Sequence, residues 1–236
     1  MRKVIAFIAS NFRKDKIWLR RTRPSRRECE VVVAVDNSAS MADADARRMA
    51  FMSVATLMQG LSVLEIGRMG ILRFGERCSV VHELKSSFGI EDGANVVSKF
   101  DFSDKSTGVV DLLRTARAMF GSNAASSSSG PASKLLVVVS DGRGIMNEGK
   151  AKVLEAVRAT RAADVFVVFV IVEAEDSAQS ILDIRVPIFD SANVLRSIES
   201  YMEHFPFPFY IILRDIRNLP QVLSDALRQW FELVSN

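Results

Sequence analysis

Along the chain, continuous apolar runs alternate with segments whose apolar residues recur at helical spacing. From residue 30 onward this alternation is the mark of an α/β sheet. Val31-Val32-Val33-Ala34-Val35 is wholly apolar and stops abruptly at Asp36, as a strand buried on both faces does. Residues 134–139 and 164–172 have the same character, and the former ends at Ser140-Asp141. Helices are predicted over residues 44–62, 108–120 and 148–163, with a last amphipathic one over 219–234. The first carries Met49, Met52, Ala55, Leu57, Met58 and Leu61 on its buried side, a core stripe and not a ligand box. Residues 68–74 and 78–84, separated by Gly75-Glu76-Arg77, read as a hairpin that places an antiparallel strand at the sheet edge.

Further on, an extended stretch is expected near 181–189 and a helix near 192–203. In FPFPFYIIL (205–213), Phe205, Phe207 and Phe209 alternate like the core face of a strand. Residues 122–133 (SNAASSSSGPAS) form a low-complexity flexible loop. No linker separates the repeating units, so residues 29–236 read as one domain.

Composition adds exclusions. The chain has 236 residues, 48% hydrophobic and 25% charged, which sets aside disordered, collagen-like and mucin-like classes. No run approaches about 18 uninterrupted apolar residues, so no membrane span is expected. Arg13, Lys14 and Asp15 break the N-terminal apolar stretch, so no secretory signal is expected either. Cys29 and Cys78 allow one disulfide at most and lack metal-ligand spacing; packing roles in a reducing, intracellular setting are expected. Charge divides the chain. Residues 1–28 hold ten Lys/Arg against Asp15 and Glu28, whereas the remainder holds 21 basic and 26 acidic residues. A basic extension therefore precedes a mildly acidic body, and such an arm can serve nucleic acid, an acidic protein surface or an import receptor.

In open α/β sheets, ligands bind beyond the carboxyl ends of the strands. Asp36 and Asp141 both stand at such ends. In Asp36-Asn37-Ser38-Ala39-Ser40 the oxygen-bearing side chains recur two residues apart, so three of them can point one way in a tight loop. Carboxylate and hydroxyl oxygens form a hard ligand set, suited to Mg2+ or Mn2+ and not to zinc.

This combination resembles the von Willebrand factor A domain and its metal-ion-dependent adhesion site: D-x-S-x-S after the first strand, a threonine on a later loop, an aspartate after the fourth strand. The resemblance implies a Rossmann-like, mostly parallel sheet with one antiparallel edge strand and helices on both faces. It assigns Asp36, Ser38, Ser40, Thr107 and Asp141 as metal residues, with Asp104 and Ser106 competing for the threonine's place. Asn37, Ala39 and Arg143 are then expected to meet a partner. Longer strings, FRKDKIWLRR (12–21), LLVVVSDGRG (135–144), SILDIRVPIF (180–189), FPFPFYIILRD (205–215) and LSDALRQWFELV (223–234), resemble the C-terminal segment of the dynein-related AAA+ ATPases of large ribosomal subunit assembly. That family implies a nuclear, metal-dependent hook for ubiquitin-like domains of assembly factors on the pre-ribosomal particle. It also implies an ATPase ring elsewhere in a longer protein. If the three hydroxyls are direct ligands and the two carboxylates act mainly through water, a Mg2+ ion keeps positive charge and an open position for a partner's Asp or Glu. A nucleic-acid or ribosome-docking module working through the basic arm is the competing class.

Enzyme readings fail on their chemistry. Gly144-Ile145-Met146-Asn147-Glu148-Gly149-Lys150 fits G-x-x-x-x-G-K, but Ala151 stands where a nucleotide site needs Ser or Thr for Mg2+. An aspartyl-phosphatase needs a second Asp two residues after the first, where Ser38 stands. His82 and His204 belong to no nucleophile-elbow pattern and are expected at the surface or in packing.

Overall fold

A computed structural model describes residues 29–63, 67–85, 88–122, 132–173, 180–189 and 195–235. The basic extension 1–28 and most of the Ser-rich loop, residues 123–131, lie outside them.

The apolar runs become the centre of a six-stranded sheet. Its strands are β1 (Cys29–Asp36), β2 (Arg68–Phe74), β3 (Ser79–Lys85), β4 (Ser133–Ser140), β5 (Val165–Val172) and, after a separate hairpin of β6 (Arg185–Phe189) and β7 (Leu195–Ser200), β8 (Tyr210–Leu213). The order is β3-β2-β1-β4-β5-β8. All neighbours are parallel except β2 and β3, which form the expected antiparallel edge. Every residue of β1 is buried, because helices cover both faces of the sheet.

Alternation within each strand divides the interior in two. Val31, Val33, Val35, Val137 and Val139 face one core with α1 (Ala44–Val63) and α5 (Leu219–Ser235). Val32, Ala34, Leu136, Val138 and Phe169 face the other with α3 (Val109–Gly121) and α4 (Lys150–Ala162). Register then fixes what stands at the carboxyl edge. Val35 pairs with Val139, so Asp36 and Ser140, each the next residue, arrive side by side.

Four local expectations need correction. Met52 is 41% exposed and Ala55 is exposed; α1 instead buries Ala46, Met49, Ala50, Val54, Leu57 and Met58, and the Leu61 side chain lies outside the described residues. A helix not expected from the pattern, α2 (Ile90–Ser98), buries little beyond Val96 and starts with Gly89 N–H donating to Asp92 Oδ2 at 2.8 Å. The helix expected near 192–203 is β7 followed by a 3₁₀ turn, Tyr201–His204, with residues 192–194 outside the described residues. Leu195 and Ile198 have helical spacing, yet Ile198 is 63% exposed, because β7 is held by pairing with β6 and not by an apolar helix face. Finally, the Phe run is not one strand face. Pro206 and Pro208 interrupt it, Phe205 and Phe207 both pack on Phe169 at ring centroid distances of 5.2 and 4.9 Å, and Phe209 leaves for Phe166.

Trp230 is fully buried in the core between α5, α1 and the sheet. Trp230→Ala is expected to destabilise the domain by about 3–5 kcal/mol, read as a lower urea midpoint; an unchanged midpoint would mean α5 does not close this core.

Candidate metal centre

Three loops meet above the carboxyl edge of β1 and β4. The first follows β1. Asp36 is fully buried, and both its carboxylate oxygens are engaged: Ser38 N–H donates to Oδ1 at 2.8 Å and Ser140 Oγ–H to Oδ2 at 2.6 Å. Ser38 Oγ and Ser40 Oγ lie 2.9 Å apart, so the alternation in D-x-S-x-S does bring its oxygens to one side. The third loop follows β4. Asp141 accepts from Arg143 N–H at 2.9 Å, and the Ser40 hydroxyl bonds to its carboxylate as well. First and third loops therefore share one cluster of oxygens.

The second loop brings Thr107, which is buried immediately before α3. A Cβ added to Gly144 would lie 3.7 Å from Thr107 Oγ1, which puts that hydroxyl against the loop that carries Asp141. Asp36, Ser38, Ser40 and Asp141 thus share one cluster, and the Thr107 loop lies beside it, joined to the first loop by Ala39 N–H on Asp104 O and set against Gly144 of the third. Asp104 does not compete. Its backbone bridges Ser38, and its side chain packs on Gly75, where an added Cβ would fall 2.0 Å from Asp104 Oδ2.

Electrostatics mark the pair of acids. Burial is the largest influence on Asp36 and pushes its pKa from 3.8 up to about 6, against the pull of the Ser140 and Ser38 hydrogen bonds; Asp141 adds to the rise. Burial also raises Asp141, opposed by the Arg143 backbone and the Ser40 hydroxyl. Two desolvated carboxylates beside the Ser38 and Ser40 hydroxyls constitute a site in want of positive charge. Among the described residues no three His, Cys, Asp or Glu side chains gather, so a nitrogen- or sulfur-rich metal set is not offered. The donors present, neutral hydroxyls and two carboxylates, fit a hard divalent cation.

Of the three residues expected to meet a partner, Ala39 and Arg143 are exposed beside the site. Asn37 is the correction. It is fully buried, and its side chain is spent inside the protein on Asp101 and Phe102. Sequence reasoning also missed supporting groups. Ser140 was visible next to Asp141, but only the strand register brings it to Asp36. Tyr201 O–H donates to Gly142 O at 2.8 Å from a turn 59 residues away, and no local signal announces it. Gly142 has φ +75°, and a Cβ there would meet Ile181 Cδ1 at 2.7 Å, so glycine is required at this bend.

The nucleotide-like string folds for another purpose. Residues Ile145–Glu148 make a 3₁₀ turn with Ile145 buried, and Glu148 Oε2 accepts from Val110 N–H at 2.9 Å, stitching this loop to the start of α3. His82 is buried edge-on to Phe88, and Cys29 and Cys78 are not joined in a disulfide. Burial pushes the Cys78 thiol up to about 11. No helix among the described residues is long and apolar enough to cross a membrane.

The parallel sheet, its one antiparallel edge and the three-loop site define a class. The sequence model of the von Willebrand factor type A domain matches residues 30–196, and the chain belongs to that family. Over all of its length it is 37% identical to midasin of Dictyostelium discoideum and 32% identical to midasin of Giardia intestinalis. It spans 4% and 5% of the length of those relatives. Among solved structures it resembles proximal thread matrix protein 1 of the mussel byssus with a zinc-occupied metal-ion-dependent adhesion motif. That match has TM-score 0.58 at 15% identity, covering 84% of this chain and 46% of that one. Manganese-loaded TRAP protein of Plasmodium vivax matches with TM-score 0.51 at 16% identity, over 61% of this chain and 57% of that one.

The raised pKa of Asp36 makes a prediction for the metal-free domain. A carboxyl held at about 6 in the fold, against 3.8 ordinarily, favours folding below pH 4 and loses that contribution as pH rises through 6. Asp36→Asn keeps the shape and removes the charge. In EDTA it is expected to unfold at higher denaturant than the parent at pH 7–8, the gap closing toward pH 4; a gap constant across that range would contradict the burial effect.

Proposed function

We propose that this domain is a metal-dependent protein hook. Ser38, Ser40 and Thr107 would hold a divalent cation, Mg2+ or Mn2+, while Asp36 and Asp141 supply the balancing charge. When bound, the ion supplies positive charge and a coordination position for a partner's carboxylate oxygen. The protein's own residues do the rest. Ser140 and the Ser38 backbone fix the Asp36 carboxylate, Arg143 N–H fixes that of Asp141, and exposed Ala39 and Arg143 form the rim that a partner surface would cover. The observation that carries this reading is the meeting of two buried carboxylates, Asp36 and Asp141 at the ends of neighbouring strands, with the hydroxyls of Ser38 and Ser40.

Zinc and manganese occupy two solved structures of similar fold, which supports a divalent ion here. Similarity to the midasins over the whole of this chain supports a place in that family, and the partner class we assign on that basis is ubiquitin-like domains of assembly factors on the pre-ribosomal particle of the large subunit. In the longer protein, an AAA+ ring would act on what this domain holds, within the nucleus. No catalytic step is assigned to the domain itself.

Calorimetric titration with a ubiquitin-like domain of a large-subunit assembly factor tests the reading. Binding is expected in Mg2+ and is expected to vanish in EDTA or in Asp36→Ala, with the circular dichroism of the variant unchanged. Affinity that survives EDTA but collapses with salt would favour a polyelectrolyte contact through residues 1–28 instead.

A further inference from the structure

Asn37 sits between Asp36 and Ser38 in sequence, yet its side chain makes its hydrogen bonds to Asp101 and Phe102. Its amide is buried and makes three hydrogen bonds: Oδ1 accepts from Asp101 N–H at 3.1 Å and Phe102 N–H at 2.9 Å, and Nδ2 donates to Asp101 Oδ1 at 2.6 Å. Its backbone grips the same segment. Asp104 N–H donates to Asn37 O at 3.3 Å, and Ala39 N–H donates to Asp104 O at 2.7 Å. Phe102, inside this clasp, is buried with φ +54°, a left-handed conformation that bulky residues rarely adopt. Its N–H is one of those Asn37 receives. Three residues past Asp104 stands Thr107.

We infer that Asn37 is a positioning residue for the metal centre: its side-chain amide holds the 101–104 segment against the first loop and thereby sets where the Thr107 hydroxyl stands. The inference rests on the metal-binding reading above. Its physical logic is that Thr107 belongs to a loop with no covalent tie to Ser38 or Asp141, so its distance from them must be fixed by contacts. On one side those contacts are with the β2–β3 turn, where Gly108 N–H donates to Gly75 O at 2.7 Å and Lys105 N–H to Glu76 Oε1 at 3.2 Å. On the other side they are the Asn37 clasp. Groups that orient metal ligands without touching the ion are commonly worth 10–100-fold in affinity.

The test exploits the chemistry of the pair. Asn37→Asp keeps the acceptor for the two backbone N–H groups but sets a second carboxylate oxygen against Asp101. It also adds negative charge near the site, which by Coulomb attraction alone would tighten a cation. Asn37→Asp with Asp101→Asn restores a donor–acceptor pair with its members exchanged and returns the charge to that of the parent. Binding of MnCl2 is read by calorimetry, and amide hydrogen exchange over residues 101–107 is read in EDTA. The expected result is a loss of about tenfold or more in Mn2+ affinity for Asn37→Asp, with faster exchange, and recovery of both to within about threefold in the double variant.

Unchanged or tighter Mn2+ binding by Asn37→Asp, or a double variant no better than the single, overturns the inference. A parent chain that binds neither Mn2+ nor Mg2+ overturns the metal reading itself, a failure distinguishable from the first because it appears before any substitution. If Asn37→Asp does not fold, Asp101→Ala at an exposed position carries the exchange measurement. Faster exchange over 101–107 supports the clasp, and unchanged exchange overturns it.

Discussion

The whole site depends on keeping an ionised carboxylate at the end of a fully buried strand. Asp36 is placed there because β1 must run apolar from Val31 to Val35 to be covered by helices on both faces. The strand's next residue therefore inherits a nearly dry environment. Burial resists its charge, and two hydrogen bonds, from Ser140 and the Ser38 backbone, answer only part of that resistance. Asp141, at the end of the neighbouring strand, repeats the problem. Two adjacent carboxylates with raised proton affinity are an unfavourable arrangement for a fold standing alone. A cation resolves it, which is why the arrangement reads as a site and not as a pair of helix caps.

Around that constraint the three loops are tied down separately. The first is fixed to β2 through Asn37 N–H on Phe74 O at 2.7 Å, the second to the Gly75 turn, the third to Ile181, Tyr201 and Val110. Each tie uses backbone groups or a buried side chain, so the oxygens of the cluster are aimed before any ligand arrives. Preorganisation of this kind reduces the ordering cost of binding. It also explains the glycine at 142, where the backbone must turn through positive φ beneath Ile181.

Much of this was legible in the sequence because long apolar runs and helical spacing report burial on both faces of a parallel sheet. The runs ending at Asp36 and Asp141 located the carboxyl edge, and the edge located the loops of the candidate site. What escaped detection shares a cause. α2 buries essentially Val96, so it leaves no stripe; β7 is held by its partner strand and turns Leu195 and Ile198 to solvent; the phenylalanines around Pro206 and Pro208 follow the shape of the core near Phe169. Where the determinant is a neighbour distant in sequence, local pattern carries little of it. Asn37 is the sharpest case. Its place inside D-x-S-x-S made it look like a rim residue, and only the fold shows that position facing inward.

The same contrast explains why G-x-x-x-x-G-K at residues 144–150 is no nucleotide cradle. A phosphate loop needs its backbone N–H groups open and aimed at an anion, with little side-chain bulk beneath them. Here Ile145 is driven into the core behind α3, and Glu148 places a carboxylate on the Val110 N–H, occupying the helix start with the protein's own negative charge. The consequence reaches the metal centre. By holding the third loop to the first turn of α3, Glu148 braces Thr107 and Asp141 against one another. Residues that in isolation resemble an anion site thus serve a cluster whose chemistry calls for a cation.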